Sequence, residues 1–178
     1  MKKITRNGVA ALTMAGVMLG AVASGASAQE SSNRIATETD WSVFVDGTPP
    51  ECWVVSAPKK TINTKGGQPV EVRRGDIRLF VTYRKGQSAG EVSFAGGYPF
   101  AKDSTVDLMV GDTKFALFTD GEGAWAGSGD EDAKIIAALK AGADVRVLGQ
   151  SGRGTKTEDQ FSLIGFTAAT EQAAKRCQ

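Results

Sequence analysis

From Trp41 onward, short apolar runs with period-two alternation are separated by clusters of Gly, Pro, Asn and Asp. Trp41-Ser42-Val43-Phe44-Val45 is aromatic and β-branched, and Asp46-Gly47 with Pro49-Pro50 stops it. Cys52 to Ser56 forms a second such run, ended by Pro58, and Val70 to Arg73 reads as a third. In Ile77 to Tyr83 the residues Ile77, Leu79, Val81 and Tyr83 alternate with Arg78, Phe80 and Thr82, which gives a strand with one apolar face. Glu91 to Ala95 follows, closed by Gly96-Gly97 and Pro99. Thr105 to Val110 and Lys114 to Thr119 flank Gly111-Asp112, a short hairpin signal. Ala143 to Leu148 and Gln160 to Leu163 bring the strands to about nine. Their close spacing and Gly-rich turns predict a mainly β domain, an antiparallel β-sandwich rather than βαβ units.

Two segments switch to helical period. Ser128 with Glu131 three residues on reads as a capping box, and Asp130, Glu131 and Asp132 place negative charge in the first turn. Ile135, Ile136 and Leu139 supply the apolar side, and Gly142 stops the helix. The second helix runs from about Phe166 to Arg176, and both are expected at the periphery of the sandwich.

The N-terminal residues follow other rules. Lys2, Lys3 and Arg6 precede an apolar stretch from Val9 to Val22, and Ala26-Ser27-Ala28 fits a small-x-small cleavage site. Residues 1–28 therefore read as a cleaved secretory signal, the apolar run being shorter than the roughly 20 residues of a spanning helix. No later stretch is long and apolar enough to span a bilayer as a helix. Residues 29–40 are polar, lack periodicity and read as a flexible linker, so residues 41–178 form the single domain.

Charge and chemistry narrow the classes. The chain of 178 residues carries 21 Lys+Arg against 20 Asp+Glu, and removing the signal leaves 18 basic against 20 acidic residues. That balance argues against nucleic acid as a partner. The sequence has no histidine, which excludes Ser-His-Asp and Cys-His catalysis. Export gives its two cysteines a meaning: Cys52 and Cys177 pair as one disulfide in an oxidising compartment, or else stay as two buried thiols.

Several segments together resemble one family. They are Trp41 to Asp46 leading to Pro50-Glu51-Cys52-Trp53-Val54-Val55-Ser56, then Val72-Arg73-Arg74-Gly75-Asp76, and Gly90-Glu91-Val92-Ser93-Phe94 leading to Gly97-Tyr98-Pro99-Phe100. Phe118-Thr119-Asp120-Gly121-Glu122 and Phe161 to Ala169 complete the set. They resemble the invasion-associated locus B proteins, a family of exported alphaproteobacterial proteins, over Trp41 to Cys177. The resemblance implies a periplasmic or surface-exposed domain, linked in pathogenic members to entry into host cells, and it supplies no catalytic residues. The function expected is non-enzymatic binding of an envelope or host-cell component, with no cofactor, no metal and an open oligomeric state. The alternatives are a carboxylate-dependent hydrolase of envelope glycan and a passive structural protein.

The remaining motifs each have two readings. Arg74-Gly75-Asp76 is an RGD tripeptide, either a protruding adhesion loop presenting both charges or a glycine turn flanked by solvated ones. Trp125, in the Gly-rich run Gly121 to Gly127, is a candidate ligand contact or a plug beside a helix start. Gly149 to Thr157 imitates a phosphate loop, but Thr155 intervenes between the last glycine and Lys156, leaving a Gly-rich hairpin connection. The acidic groups Asp120/Glu122, Asp130/Glu131/Asp132 and Glu158/Asp159 would support catalysis or metal binding only if they converged.

Overall fold

The computed structural model describes residues 33–87 and 89–177. The proposed signal peptide and the first residues of the proposed linker lie outside them. Twelve strands and two helices follow in sequence. The strands are β1 (Arg34–Glu38), β2 (Trp41–Asp46), β3 (Glu51–Ser56), β4 (Lys60–Lys65), β5 (Gln68–Pro69), β6 (Arg78–Arg84) and β7 (Glu91–Ala95). Then come β8 (Thr105–Val110), β9 (Thr113–Asp120), β10 (Gly123–Trp125), α1 (Gly129–Ala141), β11 (Asp144–Gln150), β12 (Lys156–Ser162) and α2 (Phe166–Cys177).

All strands belong to one antiparallel sheet, in the order β1-β2-β3-β6-β7-β10-β9-β8-β11-β12-β4-β5. The two separate sheets and about nine strands expected of a sandwich are thus replaced by a single sheet of twelve. It coils back on itself. Trp41 on β2 and Ser162 on β12 are eight strands apart in that order, about 38 Å across a flat sheet. Yet the Trp41 indole N–H donates to the Ser162 carbonyl at 2.9 Å. The ring centroids of Phe94 on β7 and Phe161 on β12 are likewise only 6.2 Å apart.

Alternation decides which face lines the interior. Trp41, Val43, Cys52, Val54, Leu79, Val81, Val92 and Phe94 point inward and are almost fully buried, and Val106, Leu108, Leu117, Val145, Val147 and Phe161 meet them from the other half. Both helices lie at the surface and press one apolar face into the core. The Phe166 ring of α2 packs edge-on against Trp41 at 4.8 Å, and α1 contributes Ile135, Ile136 and Leu139 to the same core.

The helix caps follow the sequence. Ser128 Oγ accepts from the Glu131 N–H at 3.3 Å, while the Glu131 carboxylate accepts from the Gly127 N–H at 2.9 Å. Asp132 turns inward instead, and its Oδ1 accepts from the Val92 N–H at 2.7 Å. Burial raises its pKa, the Val92 bond opposes the shift, and the Glu91 and Glu131 carboxylates add to it.

Other expectations change. The segment Val70 to Arg73 is irregular loop, not strand. Part of the expected linker, Arg34–Glu38, is strand β1, paired with β2. It is held down by α2: Gln172 donates to the Glu38 carboxylate, and a Cβ on Gly165, just before α2, would sit 1.9 Å from the Glu38 carbonyl oxygen. Gly165 also adopts φ 90°, so the position requires glycine on both counts.

Cys52 and Cys177 form a disulfide, with Cα atoms 5.7 Å apart and a sequence separation of 125. It joins the inner face of β3 to the last residue of α2. Closing a loop of that length removes denatured-state entropy worth at most about 5 kcal/mol.

Two predictions follow from this packing. The Cys52→Ala/Cys177→Ala protein should lose about 2–5 kcal/mol of stability in chemical denaturation, and reductant should lower the midpoint of the wild type but not of the variant. Asp132 is the second test. Its folded-state pKa lies above the unfolded value, so the stability tied to its protonated form is complete below the unfolded pKa and is lost as pH rises through the folded one. Asp132→Asn, neutral at every pH, should match the wild type in acid and exceed it at pH 7. Asp132→Ala should instead lose about 1–3 kcal/mol by orphaning the Val92 N–H. A pH-independent difference between wild type and Asp132→Asn would contradict this reading.

Candidate functional site

The RGD tripeptide resolves into a structural clamp. Arg74 lies in the loop between β5 and β6, and its side chain turns into the protein, 6% exposed, to meet a fully buried Asp159 on β12 at 2.7 Å. All five guanidinium N–H groups are engaged. Nη1 donates to Asp159 Oδ1 at 2.8 Å and Asn63 Oδ1 at 3.3 Å. Nη2 donates to Asp159 Oδ2 and to the Gly96 carbonyl, both at 2.7 Å, and Nε also reaches Gly96 at 3.0 Å. The guanidinium carbon stands 4.9 Å from the centre of the Tyr98 ring. Next to it the Gly75 N–H donates to the Gly97 carbonyl at 2.8 Å. A Cβ on Gly97, which has φ 71°, would come within 2.6 Å of the Gly75 carbonyl oxygen.

Of the two charged residues only Asp76 faces solvent, with its side chain 88% exposed and loosely paired with Arg78 at 3.6 Å. An adhesion loop must present both charges outward; here the arginine is committed inside. The turn reading needs correction too, because only one of its two charges is solvated.

The acidic groups do not converge. Glu158 and Asp159 are neighbours on β12, so their side chains point to opposite faces: Glu158 pairs with Arg146 at 3.4 Å outside, and Asp159 with Arg74 inside. Asp120 and Glu122 flank the tight β9–β10 turn and are exposed. Among the described residues, no group of three or more Cys, Asp or Glu is placed to hold a metal ion.

Trp125 lies on β10, not in a loop, because Gly121 to Gly127 contains a three-residue strand paired on both sides, with β7 and β9. Its indole is 38% exposed and lies over Gly123, where a Cβ would meet the ring at 2.2 Å. The register places it in a row on the outer face: Val55 opposite Phe80, Phe80 opposite Ser93, Ser93 opposite Trp125, and Trp125 opposite Phe118. Phe118 is 62% exposed. One row over, Phe44 and Trp53 stack in parallel, 5.5 Å between centroids. Ser42, Ser93 and Thr105 stand in the first row with the aromatic positions, and the buried Thr82 follows Trp53 in the second. Helix α2 lies on the other face, fixed there by the Cys52–Cys177 bond and the Phe166–Trp41 contact. Sequence reading found Trp125 alone; its partners Phe118 and Phe80 came from register.

A cleft of about 350 Å³ opens beside the Arg74 clamp, between the β5–β6 loop, the loop after β7 and the β11–β12 turn.

The family model for the invasion associated locus B (IalB) protein matches residues 41–174. The chain belongs to that family. A solved structure, the invasion associated protein B from Bartonella henselae, superposes with a TM-score of 0.54 at 15% identity, covering 79% of this chain and 95% of that one. At that identity the match speaks for a shared fold alone. Among curated proteins, none matches this chain.

The clamp generates a prediction separating the two ends of the tripeptide. Removing one partner of a buried pair leaves the other charge without compensation, at about 3–5 kcal/mol. Arg74→Ala should lose that much. Arg74→Lys, which cannot reproduce the bidentate fork, should lose a large part of it. Asp76→Asn should stay within about 0.5 kcal/mol. Equal effects of Arg74→Lys and Asp76→Asn in urea denaturation would show that the pair does not hold this end of the sheet.

Proposed function

We propose that this IalB-family protein is exported, its first 28 residues serving as a cleaved signal, and that it acts without catalysis by binding an envelope or host-cell component. The disulfide fits an oxidising, extracytoplasmic compartment. Among the described residues no helix is long and apolar enough to cross a membrane.

One observation carries the binding reading: the outer aromatic row ending in Trp125 and Phe118. Large aromatic side chains on a sheet face are held flat and nearly rigid by their neighbours, so they bind with little entropy cost. The flanking hydroxyls add hydrogen-bonding groups without charge. Such a surface suits a partner with apolar faces edged by polar groups, as in envelope glycan or a peptide strand.

The test is co-sedimentation of the oxidised protein with purified sacculi and, in parallel, with host-cell membranes. We expect saturable retention on one of them, weakened about tenfold by Trp125→Ala/Phe118→Ala. Both side chains are exposed, so the fold should survive their truncation. Retention unaffected by the double variant, or retention on neither material, would overturn the proposal.

A further inference from the structure

We propose that the cleft beside the Arg74–Asp159 pair is a binding site for a small zwitterionic ligand of the amino-acid or short-peptide type. Arg73 and Arg153 hold its carboxylate and Glu122 holds its ammonium group. The three charged residues come from three connections, the β5–β6 loop, the β11–β12 turn and the β9–β10 turn, and all line the one cleft. Each is exposed and forms no side-chain hydrogen bond or ion pair among the described residues. A volume of about 350 Å³ lies at the lower end of small-molecule sites.

The cleft's base is built before any ligand arrives. Arg74 has no N–H left to offer, so it acts as a fixed floor. The Tyr98 ring lies against it, and the Tyr98 hydroxyl shares a hydrogen bond with Thr157 at 2.7 Å. Val72, 39% exposed, and Pro99 add apolar wall. A rigid floor under loop-borne charges lowers the ordering cost of binding.

The charge pattern selects the ligand. Two free guanidinium groups favour an oxyanion, which each can grip in a fork. Inorganic phosphate is the obvious competitor, but the β11–β12 turn does not cradle it with backbone groups. Its N–H donors at Gly152, Gly154 and Thr155 are already taken by the Pro99 carbonyl, the Ser151 carbonyl and Ser151 Oγ. Glu122 repels a dianion and attracts an ammonium. Two positive groups and one negative group therefore match a molecule carrying a carboxylate and an amine, its side chain on Val72 and Tyr98.

None of the lining residues belongs to the outer aromatic row, so this inference stands apart from the envelope-binding proposal. The experiment is calorimetric titration of the oxidised full protein with the dipeptide Ala-Ala, its C-terminal amide, its N-acetyl form and inorganic phosphate. Ala-Ala should bind saturably at one site, and the amide about tenfold more weakly. Arg73→Ala and Arg153→Ala should each weaken Ala-Ala by a similar factor. Glu122→Gln should weaken Ala-Ala but not its N-acetyl form, and Trp125→Ala/Phe118→Ala should change neither. The inference is overturned if Ala-Ala shows no saturable binding or if the amide binds as well as the acid. Unchanged binding by Arg73→Ala/Arg153→Ala, or phosphate binding as tightly as Ala-Ala, would overturn it equally.

Discussion

Arg74 and Asp159 meet where the irregular, mostly exposed β5–β6 loop sends one side chain into the coiled sheet, and much of that end is arranged around them. Burying two charges is costly, and the cost is met only when each hydrogen-bonding site has a partner. Asp159 receives two guanidinium bonds, and the remaining donors go to Gly96 at the end of β7 and Asn63 on β4. The pair therefore ties together strands that are far apart in the ladder. Gly97 follows from it, since a Cβ there would come within 2.6 Å of the Gly75 carbonyl oxygen and the loop could not lie so close to the β7 exit.

At the other end of the molecule the Cys52–Cys177 bond does comparable work by covalent means. It pins the end of α2 to β3, and with Phe166 against Trp41 it holds one face of that helix against the inner side of the sheet. The inner face is then covered in part by α2, and the outer face of the same strands carries the aromatic row. Inward packing and outward display are two consequences of one alternation: Cys52 and Val54 face in, Trp53 and Val55 face out. The cleft arises separately, from connections gathered over the clamp.

Elements whose signals are local could be read directly. The hairpin at Gly111-Asp112 pairs Val110 with Thr113, and the Ser128 cap starts α1 where the spacing placed it. Elements whose patterns are set by distant partners were misread. Lys60–Lys65 and Gln68–Pro69 lie at one margin of the sheet, mostly exposed, so they carry no apolar alternation. Gly123–Trp125 is too short and glycine-rich to register as a strand, although it sits mid-sheet between β7 and β9. Val70 to Arg73 looks like a strand by composition, but only Val70 makes a ladder-like backbone bond, to Asn63. Of the candidate site, Trp125 and the tripeptide were visible. The rest depended on register and loop convergence.

The sequence by itself determined that this is a mainly β chain with two helices, two cysteines able to close it and no histidine chemistry. Those properties follow from local periodicity, capping and composition, which need no knowledge of neighbours. The tertiary structure alone decided that one sheet coils where two were expected, that the arginine of the RGD motif is a buried strut, and that Trp125 continues into a row. It also decided that Arg73, Arg153 and Glu122 share a cleft. Each of these is a meeting of residues far apart in sequence. Such meetings are set by strand order and by the burial of charge, which no single segment encodes.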